Sequence, residues 1–484
     1  MPPASYTTSL GEPIGAPVFD FKAPPLPPEV PIEGRLVRLE PLSASAHGAS
    51  LYAALQLDPE GADWTYRMQE PPESRTAFTG WLETLETHPS MRYFAYVNRA
   101  TGHALGKGAF MEIDAANGVI EIGSIILTRA MQRMAVGTEA LTAMISWAFE
   151  AGYRRVEWTC DPLNAASCAA AERLGFSYEA CFAQAYVTKG RNRDKAIFAA
   201  TDGDWPALRT AYAAWLHPGN FDDAGQQRQS LSALTAPLLR ARAPAATSPR
   251  LNALAQPIGG EVANWIPPPP PPRAPMAGRF CRLEPLEEHH APDLFDALAE
   301  DREGRVFTYM PNGPFDSLES YLAWLRPART AADPLQFAIL VEGRAVGTAS
   351  YLRIAPEHGS IEVGYITFSP RLQRTIAATE AMALMMREAF ALGYRRYEWK
   401  CNACNAPSRR AAQRLGFSFE GVFAQAQIVK SHNRDTAWYA ITDDQWPALS
   451  LAFESWLAPH NFDEEGRQRQ SLSSLTRPLL KATE

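Results

Sequence analysis

The chain has 484 residues, of which 46% are hydrophobic and 20% are charged, and its formal net charge is −7. This length exceeds one ordinary hydrophobic core and predicts two or three folded domains, while the composition excludes a largely disordered chain. The negative charge without a sustained basic stretch argues against nucleic-acid and membrane partners. The sequence also contains no long apolar run or signal-peptide pattern, so we expect a cytoplasmic protein.

The first half of the chain predicts alternating strands and helices. Period-two patterns indicate strands, helical spacing of apolar residues indicates helices, and glycines mark two helix ends. The predicted strands are "RLVRLEPL", "RYFAYV", "ALGKGAFMEI", "IEIG", "RRVEWTC", "CFAQAYV" and "KAIFAA", and the predicted helices lie around residues 51–57, 78–85, 141–149 and 164–174. This order predicts an α+β fold in which a mostly antiparallel, twisted sheet is flanked by helices.

The second half of the chain repeats the first. "GRLVRLEPL" from Gly34 recurs as "GRFCRLEPL" from Gly278, and "AERLGFSYE" from Ala171 recurs as "AQRLGFSFE" from Ala412. A period of about 240 residues indicates a duplicated domain, because solenoid repeats are only about 20 to 50 residues long. Two such domains in one chain can form an internal pseudo-dimer.

The repeat sets the domain boundaries. We predict a first domain over residues 1–240, a linker over residues 241–275 and a second domain over residues 276–484. The linker is rich in Pro and Ala and contains six consecutive prolines from Pro267. This composition favours an extended spacer over a packed element.

Cysteine and histidine do not indicate a metal or redox site. Six cysteines in so long a chain do not form a disulfide framework, and the pair Cys401 and Cys404 has neither a second pair nor a counterpart in the first copy. We therefore expect no metal. Four histidines without counterparts in the other copy are predicted on the surface: His88, His103, His289 and His290.

One turn is a candidate anion site in both copies. "IEIGSIILTRAMQRMAVGTEA" from Ile120 and "IEVGYITFSPRLQRTIAATEA" from Ile361 each predict a strand that passes through a short turn into a helix. Free backbone N–H groups and the positive end of the helix dipole meet there, which suits a phosphate. Each turn also contains small residues and an arginine. The alternative is an ordinary helix start whose small residues serve close packing.

Both copies resemble the GNAT superfamily of acetyl-CoA-dependent N-acetyltransferases. The resemblance rests on this strand and turn, on the strand "GYRRVEWTC" or "GYRRYEWKC", and on the helix "NAASCAAAERLGF" or "NAPSRRAAQRLGF". It is closest to the branch of the ribosomal-protein acetyltransferases RimJ and RimL and spans nearly all of both copies. The resemblance implies two tandem GNAT-like domains, N-acetyltransferase activity, acetyl-CoA as co-substrate and an amine as acceptor.

The resemblance also implies which residues bind acetyl-CoA. Main-chain N–H groups of the turn would bind the pyrophosphate, the end of the preceding strand would pair with the pantetheine arm, and an Asn that opens the next helix would lie beside that arm. In the first copy these residues are Ile125, Ile126, Leu127, Gln132, Arg133, Met134, Ala135, Val136, Gly137, Thr138 and Asn164. In the second copy they are Ile366, Thr367, Phe368, Gln373, Arg374, Thr375, Ile376, Ala377, Ala378, Thr379 and Asn405, with Arg409 as a further phosphate contact. Ala135 and Ile376 stand where the family pattern has its first Gly, so both copies depart from it there.

Four residues are candidates for catalysis. Many relatives have a Tyr near the departing thiolate, but Ala171 and Ala412 stand at that position here. The resemblance to RimL implies that Ser167 and Ser408 act there instead, and the alternative is that they only satisfy the helix end. Glu121 and Glu362, on an otherwise apolar strand, are candidates for the base that accepts the amine proton. The alternative is a sheet residue paired with an arginine.

The two copies differ around these residues. The second copy has "FTYMPNGPF" and "NAPSRR" where the first has "WTYRMQEPP" and "NAASCA", and the versions in the second copy are the ones typical of the relatives. We therefore expect both copies to bind acetyl-CoA and the second to be the catalyst. The competing hypothesis is a non-catalytic acyl-CoA sensor or scaffold.

Overall fold

The structure is a computed structural model that describes residues 6–223 and 225–484. In the first copy the strands are β1 Tyr6–Thr7, β2 Pro13–Ile14, β3 Ile32–Glu33, β4 Val37–Pro41, β5 Arg92–Asn98, β6 Ala104–Asp114, β7 Val119–Leu127, β8 Arg155–Cys160, β9 Ser177–Thr188 and β10 Arg191–Thr201. The helices are α1 Ala44–Leu55, α2 Arg75–Glu86, α3 Ala135–Glu150, α4 Ala165–Arg173, α5 Trp205–Leu216 and α6 Leu231–Thr235. We call β3 to α6 the first unit.

The second unit repeats this order from β11 to α12. Its strands are β11 Met276–Ala277, β12 Arg282–Pro285, β13 Leu335–Val341, β14 Arg344–Ala355, β15 Ser360–Phe368, β16 Arg396–Asn402, β17 Ser418–Val429 and β18 His432–Thr442. Its helices are α7 Ala291–Leu298, α8 Leu318–Thr330, α9 Ile376–Leu392, α10 Ala406–Arg414, α11 Trp446–Leu457 and α12 Leu472–Thr476. In the part of the chain described, no helix is long and apolar enough to cross a membrane.

One twisted sheet runs through both units. Its strand order is β11-β12-β13-β14-β15-β16-β18-β17-β9-β10-β8-β7-β6-β5-β4-β3. Neighbouring strands are antiparallel except for one central parallel pair in each unit, β7 with β8 and β15 with β16. The predicted fold class, with mostly antiparallel sheets flanked by helices, is confirmed.

Each unit buries two hydrophobic clusters, one on each face of its sheet. The larger cluster lies beneath α3 and α5 in the first unit, and the smaller one lies beneath α1 and α2. The apolar stripe predicted for the third helix is buried, since Leu141, Met144, Ile145 and Ala148 are each at most 1% exposed. The helix ends before Gly152, whose φ of 101° suits glycine.

The two units join through β9 and β17, which pair at Ala180 and Gly421. A Cβ on Gly421 would lie 2.0 Å from the Glu179 carbonyl oxygen, so only glycine permits this approach. Close by, the rings of Phe182 and Phe423 stack with centroids 5.6 Å apart. The chain therefore forms an internal pseudo-dimer.

The proline-rich linker packs against the protein. Pro268 and Pro271 are buried, and the Tyr394 hydroxyl donates to the Pro269 carbonyl oxygen at 3.3 Å. The indole of Trp265 donates to the Glu357 carbonyl oxygen at 3.2 Å. The prediction of an extended spacer in place of a packed element is therefore corrected: residues 265–271 are held along the second unit, because their apolar rings and carbonyl groups find partners there.

Candidate active site

A gap opens in the sheet where the two parallel strands separate. β7 pairs with β8 from Val119 to Glu121, and β15 pairs with β16 from Ser360 to Val363. Past these points β7 still pairs with β6, and Ile126 and Leu127 lie opposite Lys107 and Gly106. In the described residues the edge of β7 that faces β8 has no strand partner there. It can therefore accept an extended ligand.

A β-bulge lies at this gap in both units. Ser124 and Tyr365 have φ values of 50° and 47°, and the ladder to the neighbouring strand shifts register there. A bulge redirects the strand beyond it. It separates the paired start of each parallel strand from Ile125, Ile126 and Leu127 in the first unit and from Ile366, Thr367 and Phe368 in the second.

The turn after each bulged strand leads directly into a long helix, as predicted. The Gln132 amide nitrogen donates to the Leu127 carbonyl oxygen at 3.0 Å, and that of Gln373 donates to the Phe368 carbonyl oxygen at 2.8 Å. Both glutamines thus connect the turn to the strand end. Arg133 and Arg374 are exposed, and each has φ of 61°.

The two helix starts differ in capping. In the second unit the Thr375 hydroxyl accepts from the Ala378 N–H at 3.1 Å. In the first unit Met134 holds the N-cap position and carries no oxygen with which to cap. There the Gly137 N–H donates instead to the Met134 carbonyl oxygen at 3.2 Å. In both units the third N–H group of the helix is therefore used, and the first two, those of Ala135 and Val136 in the first unit, stay available to an anion.

Other residues of these turns serve packing. A Cβ on Gly137 would lie 2.8 Å from the Met131 carbonyl oxygen, so this glycine is required by the turn itself. The Thr138 hydroxyl accepts from Arg173 at 3.0 Å, and the Thr379 hydroxyl accepts from Arg414 at 3.1 Å. These contacts fasten α4 to α3 and α10 to α9.

Asn164 and Asn405 cap the next helix in each unit. Their Oδ1 atoms accept from the N–H groups of Ser167 and Ser408, at 3.2 Å and 3.1 Å. Because capping uses only the acceptor, the Nδ2 group is not used by the cap and can bind a second partner.

Ser167 and Ser408 are held from the sheet as well. The indole N–H of Trp158 donates to the Ser167 hydroxyl, and that of Trp399 donates to the Ser408 hydroxyl, both at 3.1 Å. An indole N–H is only a donor, so each serine oxygen acts as the acceptor and retains its own hydrogen for another partner. The sequence analysis missed these tryptophans, although "EW" occurs in both copies.

Glu121 is a buried carboxyl with one hydrogen-bond donor from the next strand. The Thr159 hydroxyl donates to its Oε1 at 2.7 Å. Burial raises the pKa of Glu121, with Lys195 opposing this effect and Glu157 adding to it. A raised pKa makes this carboxylate a stronger base than an ordinary exposed glutamate.

Glu362, the counterpart of Glu121, is held by two cations. The Lys400 ammonium lies 2.8 Å from its Oε2, and a guanidinium nitrogen of Arg353 lies 3.3 Å from the same oxygen. Lys400 and Arg353 stand where the first unit has Thr159 and Glu112. Both cations contact the Oε2 atom, so an acceptor amine could approach this oxygen only by displacing them. The alternative reading, a paired sheet residue, therefore describes the second unit.

The two candidate catalytic residues of each unit lie on opposite faces of the sheet. Consecutive residues of a strand point to opposite faces, and Trp158 and Thr159 are consecutive in β8. Trp158 contacts Ser167, whereas Thr159 contacts Glu121. A group that passes through the gap would therefore meet the carboxyl on one side and the hydroxyl on the other.

A buried lysine below the bulge was missed by the sequence analysis. Lys107 is 1% exposed and donates to the carbonyl oxygen and hydroxyl of Ser124, at 2.9 Å and 3.1 Å. Burial and the nearby Arg67 hold its pKa well below the ordinary lysine value. Thr348 occupies this position in the second unit, so the lysine is a feature of the first.

Arg409 is engaged by an acidic side chain. Its guanidinium lies 2.6 Å from a carboxylate oxygen of Glu484 and donates to the Ala403 carbonyl oxygen at 2.8 Å. A phosphate would have to compete with this ion pair, so the contact predicted between Arg409 and a CoA phosphate stays a prediction.

One of the four histidines expected on the surface is buried. His290 is 3% exposed and lies 3.4 Å from Glu284, and it matches His47, which lies 3.2 Å from Glu40 in the first unit. The prediction was wrong for His290, and this pair is a counterpart that the sequence comparison missed. Both ring nitrogens of His290 are already used, so we assign no metal to its cluster with Glu284 and His289.

A sheet with a splayed parallel pair, and a turn and helix start beside the gap, has the architecture expected of a CoA-dependent acyltransferase. The Acetyltransferase (GNAT) domain family matches residues 37–177 and again residues 281–418, which together exceed half of the chain. The chain therefore belongs to the GNAT acetyltransferase family, and the resemblance found in the sequence is confirmed.

The chain is also similar to individual proteins. The ribosomal-protein-serine acetyltransferase of Escherichia coli is 32% identical over 110 residues, which are 22% of this chain and 62% of that relative. A GCN5-related N-acetyltransferase from Brucella melitensis is 44% identical, with 44% of this chain and 99% of the other covered and a TM-score of 0.44. A protein from Chromobacterium violaceum, described as a probable acetyltransferase of the GNAT family, is 36% identical, with coverages of 43% and 100% and a TM-score of 0.38.

Proposed function

We propose that the chain is an acetyl-CoA-dependent N-acetyltransferase that transfers the acetyl group to a primary amine by direct attack. The observation that carries this proposal is the position of Glu121 and Ser167 on the two sides of the gap between β7 and β8. The free edge of β7 fits the pantetheine arm, and the donors of the turn before α3 fit the pyrophosphate. Acetyl-CoA supplies the thioester.

The reaction needs a base and a group that stabilises the thiolate. The acceptor nitrogen attacks the thioester carbonyl carbon, the C–S bond breaks, and the ammonium proton passes to the Glu121 carboxylate. The Ser167 hydroxyl, oriented by Trp158, donates to the departing thiolate. Positioning of the two reactants in one gap supplies much of the remaining acceleration.

We infer that the first unit is the principal catalyst, which reverses the preference drawn from the sequence. Glu121 is buried beside a hydroxyl, whereas Glu362 is paired with Lys400 and Arg353. Lys400 and Arg353 would compete with the amine proton for Glu362. A non-catalytic acyl-CoA-binding role is thus supported for the second unit alone.

The acceptor is proposed from chemistry and from one relative. The name of the Escherichia coli relative specifies a ribosomal-protein serine. A peptide or protein with an N-terminal serine is therefore the first acceptor to test, followed by other N-termini, small amines and polyamines.

The test is thiol release from acetyl-CoA with this panel, using Glu121→Gln and Glu362→Gln as a matched pair. We expect Glu121→Gln to lower kcat about 100-fold, in the range of general-base catalysis, and Glu362→Gln to change it less than about threefold. Equal effects of the two substitutions would contradict the assignment to the first unit. Tight acetyl-CoA binding without thiol release from any acceptor would favour the sensor.

A further inference from the structure

The leader of each unit crosses to the other unit. The first arm, residues 6–18, lies on the hairpin between β17 and β18 of the second unit, and the second arm, residues 248–262, lies on the hairpin between β9 and β10 of the first. The motif "EPIG" in the first arm matches "QPIG" in the second. The exchange is reciprocal, so each arm follows the same path on the opposite unit.

Each arm extends the tip of the opposite hairpin by backbone pairing. The Asn433 N–H donates to the Ala16 carbonyl oxygen at 2.8 Å, and the Val18 N–H donates to the Ser431 carbonyl oxygen at 2.8 Å. In the other direction, the Asn192 N–H donates to the Gly260 carbonyl oxygen at 2.7 Å, and the Val262 N–H donates to that of Gly190 at 2.8 Å. These bonds fix the register of both arms.

Each arm also contacts the loop between the first two helices of the opposite unit. The Gln256 amide nitrogen donates to the Ala62 carbonyl oxygen at 3.1 Å and its oxygen accepts from the Thr65 hydroxyl. Glu12 accepts from the Thr308 hydroxyl in the same way, and the Tyr309 hydroxyl donates to the Pro13 carbonyl oxygen at 2.8 Å. Both arms therefore bridge a hairpin tip and a helix–helix loop.

These loops lead directly to the candidate active sites. In the first unit Asp63, next to Ala62, accepts from Gln132 of the cofactor turn at 3.0 Å. In the second unit the Tyr309 hydroxyl also lies 3.3 Å from the Cys404 carbonyl oxygen, one residue before Asn405. Glu121 and Gly123 are two residues apart in β7 and therefore lie on the same face of the sheet. Gly123 pairs with Ala109, which belongs to the hydrophobic cluster beneath α1 and α2, so Glu121 lies on the face that carries these two helices. The arms thus lie on the side of the gap that bears the proposed base.

We propose that each arm forms one wall of the acceptor cleft of the opposite unit, so that acceptor binding by one unit depends on the leader of the other. This inference rests on the proposed function. The acceptor must approach from the side of Glu121, and the arm connects the hairpin tip and the loop that flank this side. The second arm would therefore control the acceptor of the first unit, and the first arm that of the second.

Two glycines allow each arm to be displaced by one substitution. A Cβ on Gly259 would lie 1.8 Å from the Asn192 carbonyl oxygen, and a Cβ on Gly15 would lie 1.8 Å from that of Asn433. Backbone contacts this short cannot be relieved by rotating a side chain, so an alanine must move the arm. Gly260 is the matched control, since a Cβ there would meet no heavy atom within 4 Å among the described residues.

The experiment uses the full chain and measures arm position and acceptor use separately. Hydrogen exchange of residues 188–192 should accelerate about tenfold or more in Gly259→Ala and stay unchanged in Gly260→Ala, while residues 430–433 respond only to Gly15→Ala. In the thiol-release assay with a serine-initiated peptide and the other amines, Gly259→Ala should raise the acceptor KM about tenfold and leave the acetyl-CoA KM within about twofold.

The outcomes distinguish failure of the proposed arm contact from failure of the proposed acetyltransferase activity. Unchanged exchange in Gly259→Ala would overturn the arm contact, and accelerated exchange with an unchanged acceptor KM would overturn its role in the cleft. If the wild-type chain releases no thiol with any acceptor, the proposed function and the cleft role both fail. The exchange result then still reports the arm contact by itself.

Discussion

Arg396 is the buried cation whose removal tests how the two units are joined. Its side chain is 0% exposed, and it contacts Glu398 at 2.7 Å, Glu420 at 2.6 Å and the Ala183 carbonyl oxygen of the first unit at 2.8 Å. Arg155 makes the equivalent contacts with Glu157, Glu179 and the Ala424 carbonyl oxygen. Each arginine thus neutralises two carboxylates of its own unit and binds the backbone of the other.

We expect Arg396→Met to lower the free energy of unfolding by about 3–5 kcal/mol, the usual cost of removing one partner from a buried ion pair. Methionine fills a similar volume, so the loss reflects the two carboxylates left without their cation. Lys400 remains 3.3 Å from Glu398 but does not replace the contacts with Glu420. The cost should therefore arise mainly at Glu420, whose pKa burial already raises.

The sign of the pH dependence follows from Glu420. Without Arg396 its pKa in the folded state rises further above the unfolded value, and a group with a raised folded pKa stabilises the protein only while it is protonated. The loss of stability in Arg396→Met should therefore be smallest at acidic pH and increase as the pH rises above the unfolded Glu pKa of about 4.3.

The assay is urea denaturation followed by tryptophan fluorescence at several pH values. Arg467→Met is the control, because Arg467 pairs with Asp463 and Glu465 while 74% exposed, and surface pairs contribute only about 0–1 kcal/mol. A loss below about 1 kcal/mol for Arg396→Met, or one equal to that of the control, would refute the reasoning.

Three further predictions concern the sites. Thiol release should rise with pH through a pKa above the ordinary Glu value, because burial raises the pKa of Glu121, and a pH–rate profile of Glu121→Gln should lack this rise. Ser167→Ala should lower kcat about tenfold or more and Ser408→Ala much less, and unchanged turnover in the double variant would exclude both serines. In the Glu121→Gln background, Lys400→Thr should increase residual turnover severalfold by freeing Glu362, whereas equal or lower turnover would contradict this.

The sequence predicted the fold well because its signals are local or repeated. The order of strands and helices along the chain, the apolar stripe of α3, and the turns before α3 and α9 depend on local spacing and occur twice. The environments of Glu121 and Glu362 could not be predicted in the same way. They depend on which residues of the neighbouring strand face the carboxyl. Thr159 in the first unit and Lys400 in the second are seen to contact these carboxyls only once β8 is known to pair with β7 and β16 with β15.

The exchange of arms between the units also could not be predicted from the sequence. The matching "EPIG" and "QPIG" motifs indicated that the leader belongs to the repeat, but periodicity does not specify which unit a leader contacts. Gly15 and Gly259 were visible only as glycines in two loops. Glycine is required at both positions because a Cβ there would lie 1.8 Å from a carbonyl oxygen of the opposite unit.

The two units differ more around the candidate catalytic carboxyls than at the junction that joins them. Four residues at the junction are the same in both units, Arg155 and Arg396, Glu157 and Glu398, Glu179 and Glu420, and Phe182 and Phe423, whereas Ala180 and Gly421 differ. The residues around the two carboxyls differ: Thr159 and Lys400, Glu112 and Arg353, Lys195 and Thr436. A homodimer of one unit would carry two identical sites, because a substitution in its single gene changes both subunits. Fusion into one chain keeps the matched arginines and carboxylates of the junction and lets the surroundings of Glu121 and Glu362 diverge.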